Sequence, residues 1–237
     1  MHTLLDLRGS IPIFVDITEG SVHDVNSLDR MPVEPGSYYV MDKGYVDFHR
    51  LYTLIHKCQA FYVSRAKDNI KYEAISSSEV DKTAGIISDQ LVILTGYKSS
   101  KSYPEEFRLV VYEYYATSVV YTFMTHDSNL PAWTIAELYR ERWKIELFFK
   151  WIKQHLHVKA FYVTSPNAVY CQIWIAISTY LLIAIAKKKL EMAISLYTFA
   201  QTMGLTLFEK TPIKELFNNS INLNNLSDES QLSLWDS

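Results

Sequence analysis

The most informative stretch of this chain is Tyr139-Arg-Glu-Arg-Trp-Lys-Ile-Glu-Leu-Phe-Phe-Lys-Trp-Ile-Lys153, inside a helix predicted over residues 132–156. An α-helix advances about 100° per residue, so four polar side chains of the stretch share one narrow face of the helix. The rest of the circumference is mostly apolar and is predicted to be buried. The four side chains are Tyr139, Arg142, Glu146 and Lys153.

A carboxylate flanked by cations along one helix face suits a site that holds a metal ion and phosphate oxygens together. The alternative for such a helix is a solvated face held by ion pairs between residues one turn apart. For a helix considered alone, the solvated face is the favoured interpretation.

A second motif lies upstream, at the end of a predicted strand. Ser37-Tyr-Tyr-Val-Met41 is a short apolar run typical of a strand, and it leads directly into Asp42-Lys-Gly-Tyr45. Taken by itself, Asp-Lys-Gly-Tyr is an ordinary turn sequence. It gains meaning from its place after a strand and before the polar helix face.

Together the two motifs resemble those of DDE transposases of insertion-sequence family four. In that family, Tyr-x(2)-Arg-x(3)-Glu-x(6)-Lys surrounds the last catalytic acid, and an Asp-x-Gly-Tyr turn carries the second. The resemblance implies that Asp42 and Glu146 are catalytic metal ligands, and that Tyr139, Arg142 and Lys153 contact DNA phosphates. It also implies Mg²⁺, or alternatively Mn²⁺, as the cofactor for DNA cleavage and strand transfer at insertion-sequence ends.

The order of predicted elements resembles the α/β ribonuclease H-like fold that serves this family. A hairpin, a strand ending at Asp42, a helix and another strand would form the first part of a mixed sheet. β-Branched and aromatic runs then predict a β-rich insertion before the helix that carries Glu146. The predicted division is a first core part at 1–67, the insertion at 68–128, a helical core part at 129–190, and a C-terminal helix with a mobile tail at 191–237.

One catalytic acid of the family has no counterpart at the expected place. The family's first Asp lies on a central strand that precedes a segment like His2-Thr-Leu-Leu-Asp-Leu7, where this chain begins. Two-metal phosphoryl transfer uses ions about 4 Å apart, bridged by an acid. We therefore expect an N-terminally truncated catalytic domain that is inactive alone. Asp6 and Asp16, on the early strands, belong to other positions in the inferred sheet.

Two alternatives remain at this stage. The chain could be a non-catalytic DNA-binding or dimerising remnant of a transposase, which the missing acid favours. It could also be an unrelated ribonuclease H-like nuclease, against which the four-residue helix face argues.

Charge is unevenly distributed along the chain. The net charge is −3, but residues 139–190 contain nine Lys and Arg residues against two Glu residues. A basic segment around the proposed site is expected if that segment faces DNA. We also expect that the chain could form a homodimer on DNA. The apolar run 173–186 is shorter than the about 20 residues that span a bilayer. With two cysteines and no signal peptide, these features predict a bacterial cytoplasmic protein without a membrane partner.

Overall fold

The computed structural model describes residues 1–18, 23–155 and 165–206, and the described chain is α/β with a mixed sheet. It divides into two compact units, Met1–Leu147 and Phe148–Ser237. The tail predicted to be mobile, from Asn218 onward, lies outside the described residues.

The chain opens with the predicted antiparallel hairpin. Strand β1 (His2–Asp6) pairs with strand β2 (Ile11–Asp16), and the two form a small sheet of their own. The imidazole of His2 is buried, with one ring nitrogen 3.3 Å from the Tyr45 hydroxyl and the other 3.0 Å from Thr18 Oγ1. The hairpin is thus tied to the segment that follows the next strand, without pairing with that strand.

A parallel β-α-β unit follows, as predicted. Strand β3 (Tyr38–Met41) and strand β4 (Phe61–Arg65) are joined by helix α1 (Phe48–His56), and Met41 pairs with Ser64. The carboxyl ends of both strands therefore lie at the same edge of the sheet. In open α/β sheets this edge is where ligands bind.

The antiparallel strands predicted within 68–128 are present and continue the same sheet. They are β5 (Tyr72–Ser77), β6 (Ile86–Leu94), β7 (Phe107–Tyr114) and β8 (Val119–Thr125). Strand β8 pairs antiparallel with β4, giving the strand order β3-β4-β8-β7-β6-β5. A short helix, α2 (Tyr97–Ser102), also lies in this segment and was not predicted.

The two faces of the six-stranded sheet carry separate cores, because side chains alternate along a strand. One core contains Met41 and Tyr62 with Leu51 of α1. The other contains Val63 and Phe123 and is covered by helix α3 (Ala132–Arg140). We call this second side the α3 face.

The prediction of one continuous helix over 132–156 is wrong. The chain forms two helices there, α3 and α4 (Trp143–His155). Between them the Arg142 amide bonds to the Tyr139 carbonyl at 3.0 Å, and the Ile145 amide bonds to the Arg142 carbonyl at 3.1 Å. These bonds span three residues instead of four and tighten the chain. No proline or glycine lies at the break, so we attribute it to tertiary contacts of its side chains.

The second unit is helical in its described part. Helix α5 (Pro166–Lys189) starts at Ser165, whose hydroxyl accepts a hydrogen bond from the Ala168 amide, and helix α6 (Leu196–Thr206) follows. Tyr180 of α5 packs edge-on against Phe148 of α4. Helix α5 has 24 residues, and by length and composition alone it could cross a membrane, as some core helices of soluble proteins also could.

Candidate active site

Asp42 lies at the carboxyl end of β3, where the strand passes into a 3₁₀ turn at Lys43–Tyr45. Its backbone is still extended (φ −76°, ψ 162°), and its carboxylate accepts a hydrogen bond from the Lys43 amide at 2.6 Å. The side chain is 48% exposed. The strand thus presents a carboxylate that the turn orients and that solvent can still reach.

Glu146 lies in the first turn of α4, and Arg142 connects it to Asp42. Arg142 Nη2 donates to Glu146 Oε1 at 2.5 Å, and Arg142 Nη1 lies 3.9 Å from Asp42 Oδ2. One guanidinium therefore reaches both carboxylates, although they belong to distant parts of the chain. The shared guanidinium thus brings the two acids together at the carboxyl edge of the sheet.

Arg142 is held in a mostly covered position, with 23% of its side chain exposed. Burial would lower the pKa of Arg142, but the neighbouring Tyr139, Glu146 and Asp42 outweigh burial, and the pKa is raised. Its Nε is buried and has no hydrogen-bond partner. The site therefore contains a permanent cation with an unused donor between two acids.

Tyr139 lies at the end of α3 and packs under the same guanidinium. Its ring centroid is 5.6 Å from Arg142 Cζ and 4.7 Å from the ring of Phe123. Burial, opposed by the positive charge of Arg142, raises the pKa of Tyr139 to about 12. The phenol is therefore neutral at physiological pH and can donate a hydrogen bond.

Lys153, the fourth residue of the predicted face, lies further along α4 in the second unit. Its side chain is exposed. The face expected on one continuous helix is thus divided between α3, the break and α4. Of the four residues of this face, Tyr139, Arg142 and Glu146 belong to the first unit, as Asp42 does.

Sequence reasoning missed one cation beside these residues, Arg65. It is the last residue of β4, its guanidinium carbon is 5.3 Å from the Tyr121 ring centroid, and its charge acts on the Tyr139 phenol. The signal was available in the predicted β-α-β unit. Parallel strands end at the same edge, so a polar residue that ends the second strand lies next to one that ends the first.

The acids on the hairpin do not join the site. Asp16 pairs with Arg30 at 2.5 Å, and Asp6 accepts a hydrogen bond from the Arg8 amide at 3.0 Å. Within the described residues no group of three His, Cys, Asp or Glu side chains is placed to hold a metal ion. In the part of the chain that the structure describes, the acidic donors at this edge are therefore the carboxylates of Asp42 and Glu146.

An α/β mixed sheet with two acids at its carboxyl edge agrees with a ribonuclease H-like nucleic-acid-processing domain. The sequence matches the family described as transposase DDE domain over residues 1–182. The chain belongs to this family, which generally uses divalent metal ions.

Relatives of the chain include bacterial proteins named as transposases. The chain is 33% identical to transposase y4zB of Sinorhizobium fredii, covering 90% of this chain and 60% of that protein. It is 28% identical to a transposase for insertion sequence element IS5377 of Geobacillus stearothermophilus, covering 85% and 54%. It is 29% identical to a transposase for element IS4SA of Synechocystis, covering 76% and 50%. The chain thus spans about half to three fifths of the length of these relatives.

Proposed function

We propose that the chain is part of the catalytic region of an insertion-sequence transposase and acts on DNA ends. The observation that carries this proposal is the contact of Arg142 with both Asp42 and Glu146 at the carboxyl edge of the sheet. Acids with a neighbouring arginine are suited to phosphoryl transfer, where negative charge must be neutralised. Family membership and the names of the relatives support the same function.

Asp42 and Glu146 are proposed as the ligands of a divalent ion, Mg²⁺ or alternatively Mn²⁺. Hard oxygen donors suit such ions, and Mg²⁺ is commonly held by one or two carboxylates together with substrate phosphates. When bound, the ion would polarise a phosphodiester oxygen and help to generate the attacking nucleophile. Two carboxylates suffice for one weakly held ion but not for a bridged pair.

The cations and the phenol are proposed to hold DNA phosphates. Arg142 can grip a phosphate with two parallel N–H groups, whereas Lys153 supplies a compact point charge. Tyr139 remains neutral and can donate its hydroxyl hydrogen to a phosphate oxygen. Arg142 would thereby place a phosphate beside the acids, because it contacts both of them.

The spacing of Tyr139, Arg142, Glu146 and Lys153 supports membership of insertion-sequence family four. Bacterial relatives support a cytoplasmic protein, and transposition at paired ends would suit a homodimer. We propose that the chain has four functional regions, with boundaries at 67/68, 128/129 and 190/191, although β8 of the second region pairs with the core strand β4.

We also propose that the chain alone does not cleave DNA. The described residues supply two acids at the site, and bridged two-metal chemistry needs another. This donor set favours the second candidate function, a DNA-binding or dimerising remnant of a transposase.

DNA binding by the purified chain tests the proposal. Fluorescence anisotropy with a labelled duplex should show affinity that falls steeply with salt, because released counterions drive binding to phosphates. Arg142→Ala and Lys153→Ala should each lower the slope of log affinity against log salt by about 1. Arg140→Ala is the matched control, since Arg140 is exposed and lies 3.8 Å from Glu137.

Two outcomes would contradict the proposal. Salt-independent binding, or equal losses in Arg142→Ala and Arg140→Ala, would remove the phosphate contact from the site. Metal-dependent cleavage abolished by Asp6→Ala or Asp16→Ala would show that a hairpin acid serves as a ligand and that the two-acid site is wrong.

A further inference from the structure

Arg65 occupies the position next to Asp42 on the neighbouring strand. Met41 pairs with Ser64 in the parallel register, so the next residues along the two strands are Asp42 and Arg65. Adjacent strands lie about 4.8 Å apart. The two side chains therefore start from neighbouring points at the carboxyl edge of the sheet.

Both side chains also emerge on the same side of the sheet. Val63 belongs to the core of the α3 face, so Arg65, two residues later, faces the same way. Tyr38 packs against that core too, and Asp42 follows four residues later in extended backbone. Arg65 thus lies on the side that carries Tyr139.

Arg65 has no acidic partner among the residues that the structure describes. Every other half-buried arginine there is paired with at least one carboxylate. A half-buried cation that lacks an anion within the fold is suited to an anion from outside. The three paired arginines are Arg50, Arg108 and Arg142.

The Arg65 guanidinium lies beside an aromatic ring. Its Cζ lies 5.3 Å from the centroid of the Tyr121 ring, a cation–π distance. Tyr121 stacks on Phe123 at 6.0 Å, and Phe123 contacts Tyr139. A guanidinium lying against a ring keeps the N–H groups at its edge available for a planar, two-point contact.

We propose that Arg65 is a further DNA-contacting residue, which binds a backbone phosphate of the strand held by Arg142. This inference rests on the proposed function, because it assigns a second phosphate contact to the same site. Arg142 is partly neutralised by the two acids, whereas Arg65 keeps its full charge for the ligand. The two arginines would hold DNA on either side of Asp42.

The test compares Arg65→Ala, Arg65→Lys and the control Arg140→Ala in the full chain, with a labelled DNA duplex as the probe. Arg65→Ala should weaken binding about tenfold at low salt and lower the salt slope by about 1. Arg65→Lys should keep the slope, because the charge remains, but lose part of the affinity with the two-point contact. Circular dichroism melting would verify that each variant is folded.

The outcomes separate the two proposals. If the wild type shows no salt-dependent DNA binding, the proposed function fails. If the wild type binds, and Arg142→Ala weakens it, but Arg65→Ala binds like Arg140→Ala, the assignment of Arg65 alone is overturned. If Arg65→Ala is unfolded, Arg65→Lys decides: an unchanged affinity and slope would contradict the two-point contact.

Discussion

Half-buried arginines of the sheet meet different partners, and the partner decides what each can do. Arg142 is partly neutralised by two solvent-accessible acids, and its Nε has no hydrogen-bond partner. Arg108 forms a bidentate ion pair with Asp89, to which its Nε and Nη2 donate at 2.7 and 2.6 Å. Its Nη1 donates to the Leu130 carbonyl at 2.5 Å. Arg108 thereby joins β6 and β7 to the segment that leads into α3. Its role is structural.

Removing Arg108 should be more damaging than removing the whole pair. Arg108→Met leaves Asp89 buried without its cation, which should cost about 3 to 5 kcal/mol of unfolding free energy. The double variant Arg108→Met with Asp89→Leu should lose much less, because no charge is left uncompensated. Urea unfolding of the single and double variants measures this coupling. Equal losses in both would mean that the ion pair is not what stabilises this junction.

At the scale of elements, Gly85 shows how closely the turn before β6 is packed. Its backbone has φ +81°, and an added Cβ would lie 2.7 Å from the Glu113 carbonyl oxygen and 2.9 Å from the Tyr112 ring. Gly36 has a similar φ of +76° but nothing within 4 Å of such a Cβ. Substituting alanine at each of the two glycines therefore separates the cost of backbone strain from the cost of steric overlap.

Gly36→Ala should cost about 1 to 2 kcal/mol, the left-handed penalty for an L-residue. Gly85→Ala should cost a further ~1 to 3 kcal/mol, because the backbone of β7 must also move. Thermal or urea unfolding of both variants gives the difference. Similar losses of unfolding free energy in the two variants would show that the β7 backbone can move at Glu113 at little cost.

Elements with a local cause were predictable from sequence, and those with a tertiary cause were not. The strand ending at Asp42 and helix α5 follow from apolar patterning, turn residues and a Ser-Pro start. The break between α3 and α4 has good helix-forming residues, and its flanking side chains are held by distant partners: Arg142 by Asp42, and Lys144 by the Leu7 carbonyl at 2.8 Å. Such contacts carry no local signal in the sequence. Helix α2 was missed because its residues, rich in Ser and Lys, show no apolar period.

At the scale of the whole molecule, buried and half-buried phenols should make the protein sensitive to alkali. Burial, reinforced or opposed by neighbouring groups, raises the pKa of four tyrosines to about 12, against an ordinary value of 10.0. Below pH 10 these phenols are neutral in both states and add no pH dependence. Above pH 10 the unfolded chain loses their protons first, which favours unfolding. The four are Tyr38, Tyr103, Tyr139 and Tyr180.

The free energy of unfolding should therefore fall between pH 10 and about pH 12. Urea unfolding across this range, with tyrosinate absorbance recorded in parallel, measures both effects. Tyr139→Phe should make the decline shallower, because it removes one of the late-titrating groups. A stability that stays constant through the window would contradict the burial of these phenols.

The most direct test of the central claim, that Asp42 and Glu146 form one metal-binding pair, is an electron paramagnetic resonance titration of the purified chain with Mn²⁺. We expect Mn²⁺ to bind weakly at one site, with affinity reduced at least about tenfold by Asp42→Asn and by Glu146→Gln, since even outer-shell changes cause losses of that size. Asp68, whose side chain is 84% exposed, provides the control, and Asp68→Asn should bind Mn²⁺ like the wild type. Wild-type affinity in both site variants would show that Asp42 and Glu146 do not form a metal-binding pair, and so would a loss confined to Asp68→Asn.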